Sequence, residues 1–88
     1  MNRARVYALI DAERDQQALK WDGPHDWGHG DCSSDGVDPI TKVAVLTEEC
    51  GEVARAVLDA GYTPAAVDNL RRELVQVAAV AVAWLESM

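Results

Sequence analysis

From Thr63-Pro64 to about Glu86 the chain puts Ala, Val or Leu on nearly every face of a helix, with Val75 and Val82 opposite Val77, Val80 and Trp84. A helix that is apolar almost all round must be covered on several sides. A two-helix partner leaves part of that surface open, so the segment is expected at the centre of an oligomeric bundle. The longest unbroken apolar run, from Val77 to Leu85, is nine residues. Roughly 20 are needed to span a bilayer. The burial is therefore expected in protein, not in lipid.

Two further helices follow from the same logic. Arg3 to Lys20 carries an apolar stripe through Val6, Leu9 and Ile10, which turns polar at Glu13, Gln16, Gln17 and Lys20. A stripe that changes character halfway is expected to pass from core into a wet cleft. Asp38 is a good N-cap, Pro39 suits the first helical position, and the pattern runs to about Ala60, where Gly61 stops it. Val43, Leu46, Cys50, Val53, Ala54 and Val57 are its expected core face. Thr63 and Pro64 open the third helix in the same way. Trp21–Val37 lies between the first two helices and is rich in Gly, Asp and Ser. Its 17 residues exceed the roughly 12–15 of an idle connection, so it is expected to be a long loop with a binding or lid role. The fold class is all-α, three helices in a single domain over residues 1–88.

Charge narrows the partners. With 8 basic and 15 acidic residues the net charge is −7. Nucleic-acid polymers and anionic membranes call for clustered Lys and Arg, so neither is expected as a partner. A phosphate-bearing small molecule stays compatible if a cation bridges the two negative groups. Cys32 and Cys50 make no disulfide framework, and Asp11 and Glu13 break the N-terminal apolar run, so no signal peptide is read. A cytoplasmic protein is expected.

Glu48, Glu49 and Glu52 fall within five residues and share an arc of roughly 100° on the second helix. Like charges at this spacing repel by about 0.2–0.5 kcal/mol per pair. Glu73 falls on the stripe Glu73, Val77, Val80, Trp84 of the third helix, flanked by Gln76 and Asn69. An unpaired ionised carboxylate on an apolar stripe is costly. Oxygen ligands from two helices, with no His on either, suit Mg²⁺ or Mn²⁺. The bland alternative is a solvated acidic face. His25, His29 and Cys32, with Cys50 or Asp31, form a weaker zinc candidate. A di-iron bundle wants Glu-x-x-His on helices, and both histidines lie in the loop.

The segments LTEECGEVARAV (Leu46–Val57) and NLRRELVQVAAVAVAWLE (Asn69–Glu86) resemble the MazG-like all-α nucleotide pyrophosphohydrolases, whose pattern is EExxE, a spacer, then ExxD. ERDQQALKW (Glu13–Trp21) is similar to the opening helix of small phage and bacterial members. The resemblance implies Mg²⁺-dependent hydrolysis of a nucleoside triphosphate to the monophosphate and pyrophosphate, in a homodimer or homotetramer with four-helix packing. Carried over by position, Glu49, Glu52 and Glu73 are metal ligands, and Glu48, with Glu49, is catalytic as acid or base for the attacking water. The family's Asp falls at Gln76. A neutral amide still coordinates through oxygen, but it removes a charge and cannot act as a base. Gln16, Lys20, Trp21, Lys42 and Asn69 are the expected substrate contacts, with Arg55 and Arg72 as further phosphate candidates and Trp27 beside Trp21 for stacking on a base. The competing class is a non-catalytic helical module that binds nucleotide or protein, and Gln76 is the residue that keeps it in play.

Overall fold

A computed structural model describes residues 1–60 and 63–88, excluding the side chain of Ala60. Gly61, read above as the stop of the second helix, lies outside the described residues. Three helices dominate: α1 (Arg3–Lys20), α2 (Pro39–Ala60) and α3 (Pro64–Glu86). Each begins where a side chain can take up an orphan backbone N–H. Asn2 Oδ1 accepts from Arg5 N at 2.8 Å, Asp38 Oδ1 from Thr41 N at 2.8 Å, and Thr63 Oγ1 from Ala66 N at 3.2 Å.

The segment between α1 and α2 is more ordered than its composition suggests. Pro24–His25 (β1) and Gly28–His29 (β2) pair antiparallel, with Pro24 opposite His29 and His25 opposite Gly28. Two-residue strands bounded by glycines have too little alternation to be legible in sequence. Gly28 has φ +150°, and a Cβ there would sit 2.5 Å from the Gly36 carbonyl oxygen. Gly30 has φ +83°, and its Cβ would fall 2.8 Å from the Ser34 side chain. Both positions need glycine because the strand return is packed against the next turn.

α3 is the central element: it packs on both α2 and α1, while α1 and α2 make no contact with each other among the described residues. The core is small and built of small side chains: Cys32, Val37, Ala56, Ala79, Val80 and Ala83. Val45 and Leu46 of α2 pack against its Cys32, Val80 and Ala83. Alanine at three of these six positions lets backbones approach closely.

The expected core face of α2 needs correction. Leu46 and Val53 are half-buried, but Val43, Cys50, Ala54 and Val57 are exposed, Val43 at 50% and Val57 at 54%. The face turned to α3 runs instead through Lys42, Val45, Glu49 and Ala56. It mixes charge with carbon because Glu49 borders the cleft left where α1 and α2 diverge, while Lys42 reaches Ser87. Val67, Leu74 and Leu85 on α3 are exposed as well.

Candidate metal centre and its cleft

The divergence of α1 from α2 opens a cleft of about 340 Å³. α3 supplies its floor through Gln76 and Val80, α2 one wall through Val45, Glu48, Glu49 and Glu52, and the loop an end wall through Trp21, Trp27, Asp31 and Cys32. The α1 wall consists of Glu13, Gln16, Gln17 and Lys20. These are the four polar residues that continue the apolar stripe of that helix.

Glu49, Glu52 and Glu73 each bring a carboxylate oxygen within 4.8 Å of the others. α2 places the first two at i and i+3, and α3 carries the third across the helix–helix contact. Among the described residues this is the one group of three acidic, His or Cys side chains close enough to hold an ion together. Oε2 of Glu49 and Oε2 of Glu73 are buried without a hydrogen-bond partner. Orphaned buried oxygens are costly and rare in folded proteins. Burial, reinforced by Glu52, Glu73 and Glu48, pushes the Glu49 carboxyl up to about 6. Burial and the close approach of Glu52 raise Glu73, partly offset by Arg72. The donor set is all oxygen, close-set and short of positive charge, which fits a hard divalent cation.

The remaining expected site residues divide. Glu48, Gln76, Gln16, Lys20 and Trp21 line the cleft. Lys42 and Asn69 do not line it. Lys42 is buried at the other end of the α2–α3 contact, where its Nζ donates to Ser87 Oγ at 2.8 Å. Two helical turns before Glu49, it shares the glutamate's face but lies about 10 Å further along the axis. Asn69 lies a turn before Glu73 and accepts from Arg72 at 3.4 Å on its own helix. Arg55 is paired with Asp59 on the outer surface.

The zinc candidate is not assembled. His25 Nε2 lies 2.6 Å from the Gly30 carbonyl oxygen. Cys32 belongs to the core, and Cys50 is exposed on α2. The His25 ring instead packs with Trp21 and Trp27, with centroids 5.2 and 4.1 Å away, and the two indoles are 4.7 Å apart. Lys20 Nζ sits 5.2 Å from the Trp21 ring.

Sequence reasoning gave no role to Arg14, which holds the loop wall in place. Arg14, 8% exposed, donates to Asp31 at 2.8 Å, Glu86 at 2.9 Å and Gln17 at 3.2 Å. Desolvation pushes the Asp31 carboxyl up, but hydrogen bonds from Ser33 and Arg14 hold it below its usual range. No spacing announces a pair 17 residues apart that joins a helix to a loop. Comparison with protein-family models, with characterised proteins and with solved structures finds no match.

Proposed function

We propose that this chain is a nucleoside triphosphate pyrophosphohydrolase of the MazG-like type, working with Mg²⁺ or Mn²⁺. The observation that carries the reading is the convergence of Glu49, Glu52 and Glu73 within 4.8 Å, two of them with buried, unpartnered oxygens. These three would hold the ion, with the amide oxygen of Gln76 as a neutral neighbour. A bound divalent ion supplies charge neutralisation at the phosphates and lowers the pKa of water.

The chain's own residues account for the rest. Glu48 is exposed at the cleft wall and accepts the proton as the water oxygen bonds to the α-phosphorus. The bond from that phosphorus to the α–β bridging oxygen breaks, and pyrophosphate leaves with the electron pair, giving the monophosphate. Lys20 meets phosphate charge from α1. Trp21 and Trp27 offer an aromatic wall to the base, and Gln16 and Gln17 offer amides for polar contacts.

The exposed Val43, Cys50, Val57 and Val67, Leu74, Leu85 surfaces support association of copies through α2 and α3, as a homodimer or homotetramer with four-helix packing. A particle of monomer mass in light scattering at micromolar concentration overturns that arrangement.

Incubation with a panel of nucleoside triphosphates and Mg²⁺ tests the activity through pyrophosphate release. Glu49→Ala is expected to lower turnover by roughly a hundredfold or more while far-UV helicity persists, as removal of a group acting at the reacting centre does. Absence of turnover on every triphosphate, with either ion, favours the non-catalytic module that the neutral Gln76 allows.

A further inference from the structure

A second hollow of about 330 Å³ lies between α1 and α3, lined by Leu9, Ala12, Val75, Arg71 and Arg72 and sharing Glu13, Gln16 and Gln76 with the acidic cleft. The two hollows run end to end in the same order along both helices. On α1 the sequence passes from Leu9 and Ala12 in the groove, through the shared Glu13 and Gln16, to Lys20 and Trp21 in the cleft. On α3 it passes from Arg71, Arg72 and Val75, through the shared Gln76, to Val80. From Leu9 to Trp21 the helical rise is about 18 Å at 1.5 Å per residue, and Glu49 and Glu52 stand on the cleft part of that path.

The chain has eight Lys and Arg residues, and their placement leaves few for an anionic ligand. Arg14 is spent on Asp31 and Glu86, Lys42 is buried against Ser87, and Arg55 pairs with Asp59. Arg3 and Arg5 sit in the first turn of α1, outside the lining of either hollow. Lys20 stands at the aromatic end of the path, and Arg71 and Arg72 stand at the other. Arg71 and Arg72 bond only to Asp68 and Asn69 on their own exposed surface, at 3.2 and 3.4 Å. Such local, solvent-screened contacts give way cheaply. Arg72 also sits close enough to Glu73 to act on its charge.

We infer that the groove carrying Arg71 and Arg72 is the subsite for the terminal phosphates of the substrate, so that a triphosphate lies along the path with its base at Trp21 and Trp27. The inference rests on the hydrolase reading and fixes the direction of the substrate in that site. Guanidinium forks match phosphate oxygens and keep their charge at any working pH. The arrangement places the leaving pyrophosphate beside the cations Arg71 and Arg72. It also makes the groove blind to a monophosphate, which ends before the shared residues.

The test is titration calorimetry of the full chain with a nucleoside triphosphate, the matching monophosphate and inorganic pyrophosphate. Ca²⁺ replaces Mg²⁺ to slow turnover. Arg71→Gln/Arg72→Gln is expected to weaken triphosphate and pyrophosphate binding by roughly tenfold or more, the scale of a charge-assisted hydrogen bond, and to leave monophosphate binding unchanged. Trp21→Ala is expected to weaken both nucleotides alike and to spare pyrophosphate. Equal weakening of mono- and triphosphate in the arginine variant, or none, overturns the subsite while leaving the cleft reading intact. A wild-type chain that binds none of the three ligands overturns both. Both arginines are exposed, and unchanged helicity of the variant confirms that binding alone is being read.

Discussion

Two clusters of charge, each with buried or half-buried members, sit in one small protein and behave in opposite ways. At the junction of α1, the loop and α3, Arg14 meets Asp31 and Glu86, and Asp31 is also hydrogen-bonded by Ser33. At the α2–α3 contact, Glu49, Glu52 and Glu73 bring carboxylate oxygens within 4.8 Å of one another, and among the described residues no salt bridge joins any of them to a cation. The first set carries its own cation, one guanidinium between two carboxylates, and it ties the loop wall to the helices. The second is unbalanced: three carboxylates converge there, and buried oxygens of Glu49 and Glu73 have no hydrogen-bond partner. The contrast teaches that local charge balance, more than burial or acidity, separates a structural ion pair from a candidate site.

The largest test of the contrast is to remove the cation from the first set. Arg14→Ala leaves Asp31, 6% exposed, without its cation. A loss of about 3 kcal/mol is expected, since an uncompensated buried charge is the costly outcome of cutting such a pair. Thermal melting should show Tm falling by roughly 15 °C. A fall of only a degree or two would mean that the loop is held by other contacts.

Supplying the missing charge to the unbalanced set should have the opposite sign. Mg²⁺ at a hundredfold excess over its dissociation constant is expected to stabilise the wild type by about 2.7 kcal/mol, through preferential binding to the folded chain. Glu73→Gln should remove most of that gain, which differential scanning calorimetry with and without Mg²⁺ would show. Equal stabilisation of both proteins would remove Glu73 from the ligand set.

A smaller effect lies in pH. The Glu49 carboxyl rises from 4.5 to about 6 on folding, so the folded state holds its proton more tightly than the unfolded chain. Without metal, stability should therefore fall as pH rises from about 4.5 to about 6, by roughly 1 kcal/mol after allowance for solvent screening. Metal-free melts across that window check the sign. Asp31 works the other way, because its lowered carboxyl contributes stability that is lost on acidification. Glu49→Gln should flatten the first trend and leave the second.

The smallest effect is the control. Arg55 and Asp59 pair at 3.3 Å with side chains 75% and 63% exposed. Arg55→Ala is expected to change stability by less than about 0.5 kcal/mol. A larger loss would show that distance alone decides an ion pair here, contrary to the contrast drawn between the two sets.

Much of the backbone was legible before any coordinates. Asp38-Pro39 and Thr63-Pro64 mark helix starts because an N-cap oxygen and a fixed φ are local requirements. The polar half of the α1 stripe, from Glu13 to Lys20, pointed to a wet cleft because helical period places those residues in line. Lys42 lies off the cleft although it shares a face with Glu49, because period gives a residue's face and says nothing of how far along the axis a cleft extends. The α2 core face failed at Val43, Cys50 and Val57, since an apolar stripe does not say whether its cover comes from the same chain.

Local chemistry along the chain thus determined the three helices, their starts, and the crowding of like charges at Glu48, Glu49 and Glu52. Only tertiary structure decided that Glu73 would join Glu49 and Glu52, that Arg14 would find Asp31 and Glu86, and that α1 would diverge from α2. Capping and periodicity act over one to four residues, whereas charge balance is set by whichever groups the packing of α3 brings within a few ångströms.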